Sequence, residues 1–586
     1  MGRIIRFSAP ESTQNSDFKT WLHAGAGLRI LLRMKTSKIS LLVVAGLAWL
    51  GLVALVQAQQ AVPAGVATGF NAIREDTLRA DLTFLASDAL EGRMSLQTGD
   101  DVAIHWIASE FAKAGLQPAA NGSYLQPVDL IEYRGDREHG YVALQRGGGE
   151  KQWKFPEAFG AYPSDVDVTA GVVFAGFGIT APELHYDDYQ GIDAHGKIVL
   201  IFEHEPQETD PNSIFNGTGN TRYATGRVKI LNAQAHGAVG VLIAAEPNRK
   251  HPSNQERVRR IGGSITRAMP LPSQALAEDE LHTPAAIISD AVGKELFATL
   301  GADPSQLQAA IDRDLRPQSR ALPDTQVTLH YRNSSVTTGK SYNVAGLLEG
   351  SDPKLKAETI LFSGHHDHDG ISGDQVWHGA DDNGSGTVGV VELAHAYAAN
   401  AVHGERPKRS LLFVVFAAEE RGLLGSFYMA EHPLRPLETT RAVINFDMIG
   451  RNESESDQTK GLIEIPSDTT NRLNLIGPSY SPDYNRTVVA ENKYVGLDLD
   501  YRFDRDYALN IFFRSDQFPF VLHNIPSFWW FTGFHPDYHH TTDTAEKINY
   551  LKMAKILRLA YLTGFQFANE AETPKFIANP GGRVTN

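Results

Sequence analysis

At 586 residues, with 42% hydrophobic and 21% charged side chains, the chain has an ordinary globular composition and is too long for one hydrophobic core, so two or three domains are expected. Its 54 Lys+Arg against 69 Asp+Glu give a formal charge of -15, which repels phosphate backbones and anionic membrane surfaces and argues against nucleic acid as a partner. Cysteine is absent, which excludes disulfides, iron–sulfur clusters, thiolate zinc sites and cysteine nucleophiles, so any metal must sit on nitrogen and oxygen.

Near the front, "MKTSKISLLVVAGLAWLGLVALVQAQQA" begins at Met34 with Lys35 and Lys38, then runs apolar from Ile39 to Val56 and exits through small residues. This is the pattern of an export signal ending at Ala58, with translation starting at Met34; an uncleaved membrane anchor is the alternative. Residues 1–58 carry seven basic and two acidic side chains, a net +5, so the mature chain stands near -20. It is expected to be exported, to the periplasm or the extracellular space, with no stable membrane association unless the segment is retained.

From about 70 to 125, apolar residues at helical spacing, among them Ile104, Ile107, Ala108 and Phe111, predict helices, and Gly115 stops the second. This defines an N-terminal helical part, 59–135. Between 136 and 325 the texture changes to short β-rich runs such as "GVVFAGFGI", "GKIVLIFEHEP" and "GAVGVLIAAEP", the mark of an inserted module. It shows few histidines and acids clustered at metal spacing and is expected to shape access or bind partners.

Residues 326–586 alternate β and helical runs, which predicts an α/β domain whose mixed, mostly parallel sheet is sandwiched by helices. "ETILFSG", "RSLLFVVFAA", "RAVINF" and "PSFWWFTG" have the length and apolarity of buried strands. "GSGTVGVVELAHAYAAN" and "KINYLKMAKILRLAYLTGFQFA" are the covering helices.

Each of these strands empties into ionisable residues: His365, the pair Glu419 and Glu420, Asp447, and a loop reaching "DYHHTTDT". Ligand sites in open α/β sheets lie beyond the carboxyl ends of the strands, so these residues are expected to converge, with Asp381 and Asp382 of "GADDNGSG" in the remaining gap. Imidazoles and carboxylates without thiols suit zinc or a similar divalent ion. Three ligating carboxylates against two ions leave one positive charge for a hydroxide, and one carboxylate can bridge ions about 3.5–4 Å apart. Glu419 and Glu420 would divide the remaining roles, one facing metal and one facing substrate as a proton acceptor.

Six motifs in register, "GHHDHDG", "GADDNGSGT", "FAAEERGLLGS", "NFDMIG", "RSDQFPF" and "DYHHTTDT", resemble the zinc metallopeptidases of family M28, aminopeptidase type. The inserted region, with "YDDYQGIDAHGKIVLI" and "GAVGVLI", resembles a protease-associated (PA) domain. The resemblance implies the zinc exopeptidase fold and two zinc ions, with His365 and Asp447 on one, Glu420 and His539 on the other and Asp382 between them. It implies Glu419 as general base and Asp367 as the carboxylate that accepts the second ring N–H of His365. Spacing within the family selects His539 over His540, and Tyr538 is a candidate donor to the developing oxyanion. Gln517 departs from the histidine that many relatives carry after "SD".

As isolated features, Glu419–Glu420 read as a charged helix start, Asp381–Asp382 as an N-cap, and His366, His368, His378 and His540 as polar loop residues. "EGR" at 91–93 reads as structural, and Arg451 and Arg514 as either substrate anchors or buried arginines. The function implied is an exported di-zinc aminopeptidase acting on peptides. Its rivals are a carboxypeptidase of the same fold, a non-catalytic receptor-like binder and a glutaminyl cyclase.

Overall fold

The structure, a computed structural model, describes residues 60–160, 162–257, 271–578 and 580; the export segment expected at 1–58 lies outside the described residues. Thr359–His365, Ser410–Phe416, Thr440–Phe446 and Ser527–Phe531 form the parallel centre of a ten-stranded sheet. Being parallel, all four deliver their carboxyl ends to one edge. Antiparallel strands flank them: Asn333–Leu348 on one side, paired onward to Leu125–Gly135, and Arg472–Ile476 on the other.

The period-two alternation of these strands assigns each side chain to a layer. Ile360, Phe362, Leu411, Phe413 and Val415 face one core, under Thr98–Lys113, Gly386–His403 and Tyr550–Asn569, the helices that supply Ile104, Phe111, Val391 and Leu557. Leu361, Leu412, Val414 and Phe416 face the opposite side, where Met429 and Phe520 cover them. Helix Thr98–Lys113 ends at Gly115, whose φ of 73° is the left-handed conformation that glycine adopts at low cost. Gly386 meets a different demand: a Cβ there would lie 2.3 Å from the Phe446 carbonyl oxygen, so only glycine lets this helix start press against the neighbouring strand.

The inserted module builds its own seven-stranded sheet, in the order Ala285–Ile287, Gly240–Ala244, Ile198–Phe202, Val166–Phe174, Arg320–Tyr331, Tyr141–Arg146, Gly149–Lys154. Its first four strands are mutually parallel. Helices Gly226–Ala235, Asp290–Thr299 and Pro304–Asp314 accompany it, so the module is itself α/β. Strand Arg320–Tyr331 continues past residue 325 in this sheet, while Ser273–Leu276, from within the module's sequence, pairs with Leu125–Gly135 of the larger one. Among the described residues no helix is long and apolar enough to cross a membrane.

Candidate metal centre

His365 is the last residue of its strand, and its ring is buried against three carboxylates. Nε2 stands 3.6 Å from Asp382 Oδ1, 3.7 Å from Asp447 Oδ1 and 3.6 Å from Glu419 Oε2, with no hydrogen-bond partner among the described residues. Opposite, His539 Nε2 stands 3.3 Å from Asp382 Oδ2 and 3.4 Å from Glu420 Oε2. The five residues named in the sequence thus meet at one point, and the two oxygens of Asp382 face the two histidines separately. Four ligand atoms arranged tetrahedrally on bonds of 2.0–2.1 Å are about 3.3 Å apart, so the observed spacing suits a cation and is too long for hydrogen bonds.

The loops after the strands are bent to make this possible. Ala418, Met448 and His539 all adopt positive φ, at 52°, 57° and 56°, so the chain turns sharply beside Glu419, beside Asp447 and at the ligand itself. Four buried polar groups fix the turns. Asp543 Oδ2 accepts the backbone N–H groups of Asp381 and Asp382 at 2.9 and 3.2 Å. Ser515 Oγ donates to Asp447 Oδ2 at 2.6 Å. Asp369 Oδ2 accepts Nδ1–H of His539 at 2.8 Å, which leaves Nε2 free to ligate. Arg93, fully buried, donates to the carbonyls of Leu85, His366, His378 and Gly379 and ties the two ligand-bearing loops together. The structural reading of "EGR" accords with these contacts; leaving even one such buried carbonyl unpaired costs about 1–3 kcal/mol.

Asp367 lies beside His365 and acts differently from the sequence expectation. Its carboxylate accepts the backbone N–H groups of Glu419 and Glu420 at 2.9 and 3.2 Å, whereas His365 Nδ1 lies 3.2 Å from the Asp367 backbone carbonyl and 3.6 Å from the carboxylate. It therefore holds the tandem glutamates in place, and the backbone carbonyl takes the ring proton. Tyr538 is half-buried with its ring edge-on to His539 at 4.2 Å. Burial holds its hydroxyl well above the ordinary tyrosine range, which keeps it a proton donor.

The remaining histidines separate cleanly. His366 is buried in a pair with Asp100 at 2.6 Å, His378 reaches Asp88, and His540 turns back onto the Tyr538 carbonyl. His368, read from sequence as a loop residue, is buried against the centre with Nδ1 2.7 Å from Glu420 Oε1. Asp381 is not a helix cap: its Oδ1 accepts the N–H of Gly450, and Asn383 Oδ1 instead receives the N–H of Gly386. Arg451 pairs with Asp537 at 2.7 Å, and Arg514 lies over the Phe534 ring. Gln517 donates to the Phe512 carbonyl and accepts from Asn445 Nδ2, which also donates to Ser515 Oγ.

Electrostatics points the same way as geometry. Burial, reinforced by neighbouring carboxylates, pushes Glu419 well above the usual range and Glu420 up to about 7, and Asp382 is raised as well. Burial disfavours charge on the His365 and His539 rings, yet Glu419 beside one and Glu420 beside the other hold both well above ordinary histidine. So many acids in one buried volume need a positive charge among them, and a divalent ion would supply it.

The inserted module, expected from its few clustered histidines and acids to shape access or bind partners, also gathers such residues in space. His204, Glu208, Glu246 and His251 come together there, with ligand atoms all within 4.8 Å of one another.

A parallel-centred α/β sheet with imidazole and carboxylate ligands gathered beyond its strand ends defines the class, a metal-dependent hydrolase domain. Residues 343–563 match the family model of peptidase family M28, and residues 168–296, ahead of them in the chain, match that of the PA domain. Among relatives, a probable leucine aminopeptidase 2 of Aspergillus oryzae is 30% identical over 197 residues, 33% of this chain and 34% of the relative. A probable zinc metalloprotease of Pyrenophora teres f. teres is 33% identical over 138 residues, 21% of this chain and 29% of the relative. The chain thus aligns with about a third of the length of these curated relatives. An aminopeptidase structure from Aneurinibacillus sp. strain AM-1 superposes with a TM-score of 0.47 at 20% identity, covering 86% of this chain and 96% of that one.

Proposed function

We propose that the protein is an exported zinc exopeptidase that removes residues from the amino ends of peptides, with two zinc ions at its centre. The observation that carries this is the placement of Asp382, with Oδ1 3.6 Å from His365 Nε2 and Oδ2 3.3 Å from His539 Nε2. Aminopeptidase rather than carboxypeptidase action is supported by the names of the relatives. Export is supported by the apolar segment after Met34.

Zinc bound among these five residues would supply Lewis-acid polarisation of a peptide carbonyl and acidify a water. The protein's own part is to place and move protons. Glu419, held by the Asp367 carboxylate at its backbone N–H and faced by His365 at 3.6 Å, takes the proton of the attacking water and returns it to the departing amine. Its raised proton affinity suits both halves of that transfer. Asp369 keeps the His539 proton on Nδ1, and Ser515 orients Asp447. Tyr538, protonated and next to His539, is placed to donate to charge developing on the carbonyl oxygen.

The test is a panel of aminoacyl and N-blocked peptides, assayed with and without chelator and beside Glu419→Gln. Free amino termini should be required, chelation should abolish hydrolysis, and the Gln variant should lose about 10²–10⁴-fold in kcat with KM little changed. Release of residues from the carboxyl end of blocked peptides would refute the aminopeptidase assignment, and full activity of the Gln variant would remove Glu419 from its role.

A further inference from the structure

The second cluster repeats, in the inserted module, the device that builds the first. Ile198–Phe202 and Gly240–Ala244 are adjacent parallel strands, buried along their whole length, and beyond their carboxyl ends come Glu203, His204 and Glu208 on one side and Glu246 on the other. His251 closes the group from the following turn. His204, Glu246 and His251 are at most 6% exposed.

The protons in this cluster can be counted. Arg257 Nη1 donates to His204 Nε2 at 3.0 Å, so the single proton of a neutral His204 lies on Nδ1 and goes to Glu246 Oε1 at 2.6 Å. His251 Nδ1 lies 2.9 Å from the Pro252 carbonyl and 3.3 Å from Arg257 Nη2, and its Nε2 faces Glu208 Oε2 at 2.7 Å. Glu246 Oε2, on a side chain 1% exposed, and Glu208 Oε1, 3.9 Å from His204 Nδ1, are buried with no hydrogen-bond partner among the described residues.

Glu203, Glu208 and Glu246 all lie near the Arg257 guanidinium, and Arg514 stands beside it as a second cation. Lys229, which also feels these acids, donates to the Phe177 carbonyl and is matched by Asp188. A divalent ion among Glu208, Glu246 and His251 would partner the two buried carboxylate oxygens that have no hydrogen bond among the described residues.

We propose that the inserted module holds a divalent cation of its own, ligated by Glu208, Glu246 and His251, with His204 orienting Glu246. One imidazole and two carboxylates suit zinc or another first-row divalent ion. The site opens on a cleft of about 230 Å³ lined by Glu208, Asn248, His251 and Asp312, which gives an entry path and room for completing waters. The ion's position also gives it a role. Arg257 donates from the same cluster to the carbonyls of Tyr507 and Ala508, and the Tyr507 ring packs edge-on to His251 at 5.9 Å. The ion therefore braces the module where it abuts the peptidase domain.

The experiment uses the full-length protein with its peptidase centre disabled, His365→Ala/His539→Ala, titrated with Co²⁺ and followed by visible absorption and elemental mass spectrometry. Uptake of one equivalent per chain, lost on adding His251→Ala with Glu208→Gln, is the expected result; no uptake overturns the proposal. Should the disabled protein fail to fold by circular dichroism, His251→Ala in the otherwise native chain decides. It should lose one metal equivalent relative to wild type, and an unchanged metal content overturns the proposal.

Discussion

The two sheets use one design with different precision. In the peptidase domain, ligand atoms are held 3.3–3.7 Å apart by residues at or just after strand ends, and each is locked by a buried partner such as Asp369, Ser515 or Asp543. In the inserted module the imidazole–carboxylate pairs have closed to 2.6 and 2.7 Å, hydrogen-bond distances. The difference teaches that convergence of ligand types comes from parallel strands alone, whereas holding like charges apart, ready for a cation, requires a second layer of fixed donors and acceptors.

Substitutions can break that contrast, and the largest effect is expected at Asp382. Asp382→Ala removes the carboxylate shared by both histidines, so hydrolysis should fall to background and metal content to what the module alone retains. A variant keeping half the metal of the peptidase centre would show that Asp382 does not bridge. Tyr538→Phe should lower kcat by about 10²-fold at nearly constant KM, the signature of a lost oxyanion donor; a rise in KM alone would make the ring a binding surface. Asp369→Asn tests the second layer directly. By disturbing the Nδ1 partner of His539 it should weaken zinc at this centre about 10–100-fold in a competition titration while leaving the module's ion untouched.

The smallest effect lies away from both clusters. Glu392, 4% exposed and accepting the backbone N–H of Arg74, is pushed up to about 7 by burial. Between its unfolded value near 4.5 and 7, the folded chain retains a proton that the unfolded chain has released, so stability falls as pH rises through that window, and the loss is complete above it. Glu392→Gln keeps the acceptor and cannot ionise. Thermal melts should show the variant more stable than wild type at pH 8 and equal to it at pH 4; parity at both would mean that water relieves the buried charge.

Legibility followed the range of the forces involved. The four central strands and the two covering helices are within three residues of where the apolar runs place them, because strand and helix periods are local properties of sequence. His365, Glu420 and Asp447 lie at or just past strand ends, where the pattern of apolar runs points to them, while the full set with Asp382 and His539, eight residues past its strand, rests on the family resemblance. His368 and Asp369, three and four residues past His365, were not legible. Their contacts, to Glu420 and His539, are made after the chain has left the strand and lost its period of two. The same reason explains Asp367, whose carboxylate serves the backbone of a loop 52 residues away. In the module, His204, Glu208, Glu246 and His251 are spread over nearly fifty residues, so no local spacing announces them.

The sequence by itself determined that the chain is an acidic, cysteine-free α/β protein with a β-rich insertion, and that a metal could be held only by imidazole and carboxylate. Tertiary structure decided which oxygen of Asp382 faces which histidine, which residues orient the ligands, and that a second cluster exists. Element type is set by interactions a few residues apart, while the separation of buried charges is set by groups that only the packed fold brings within a few ångströms.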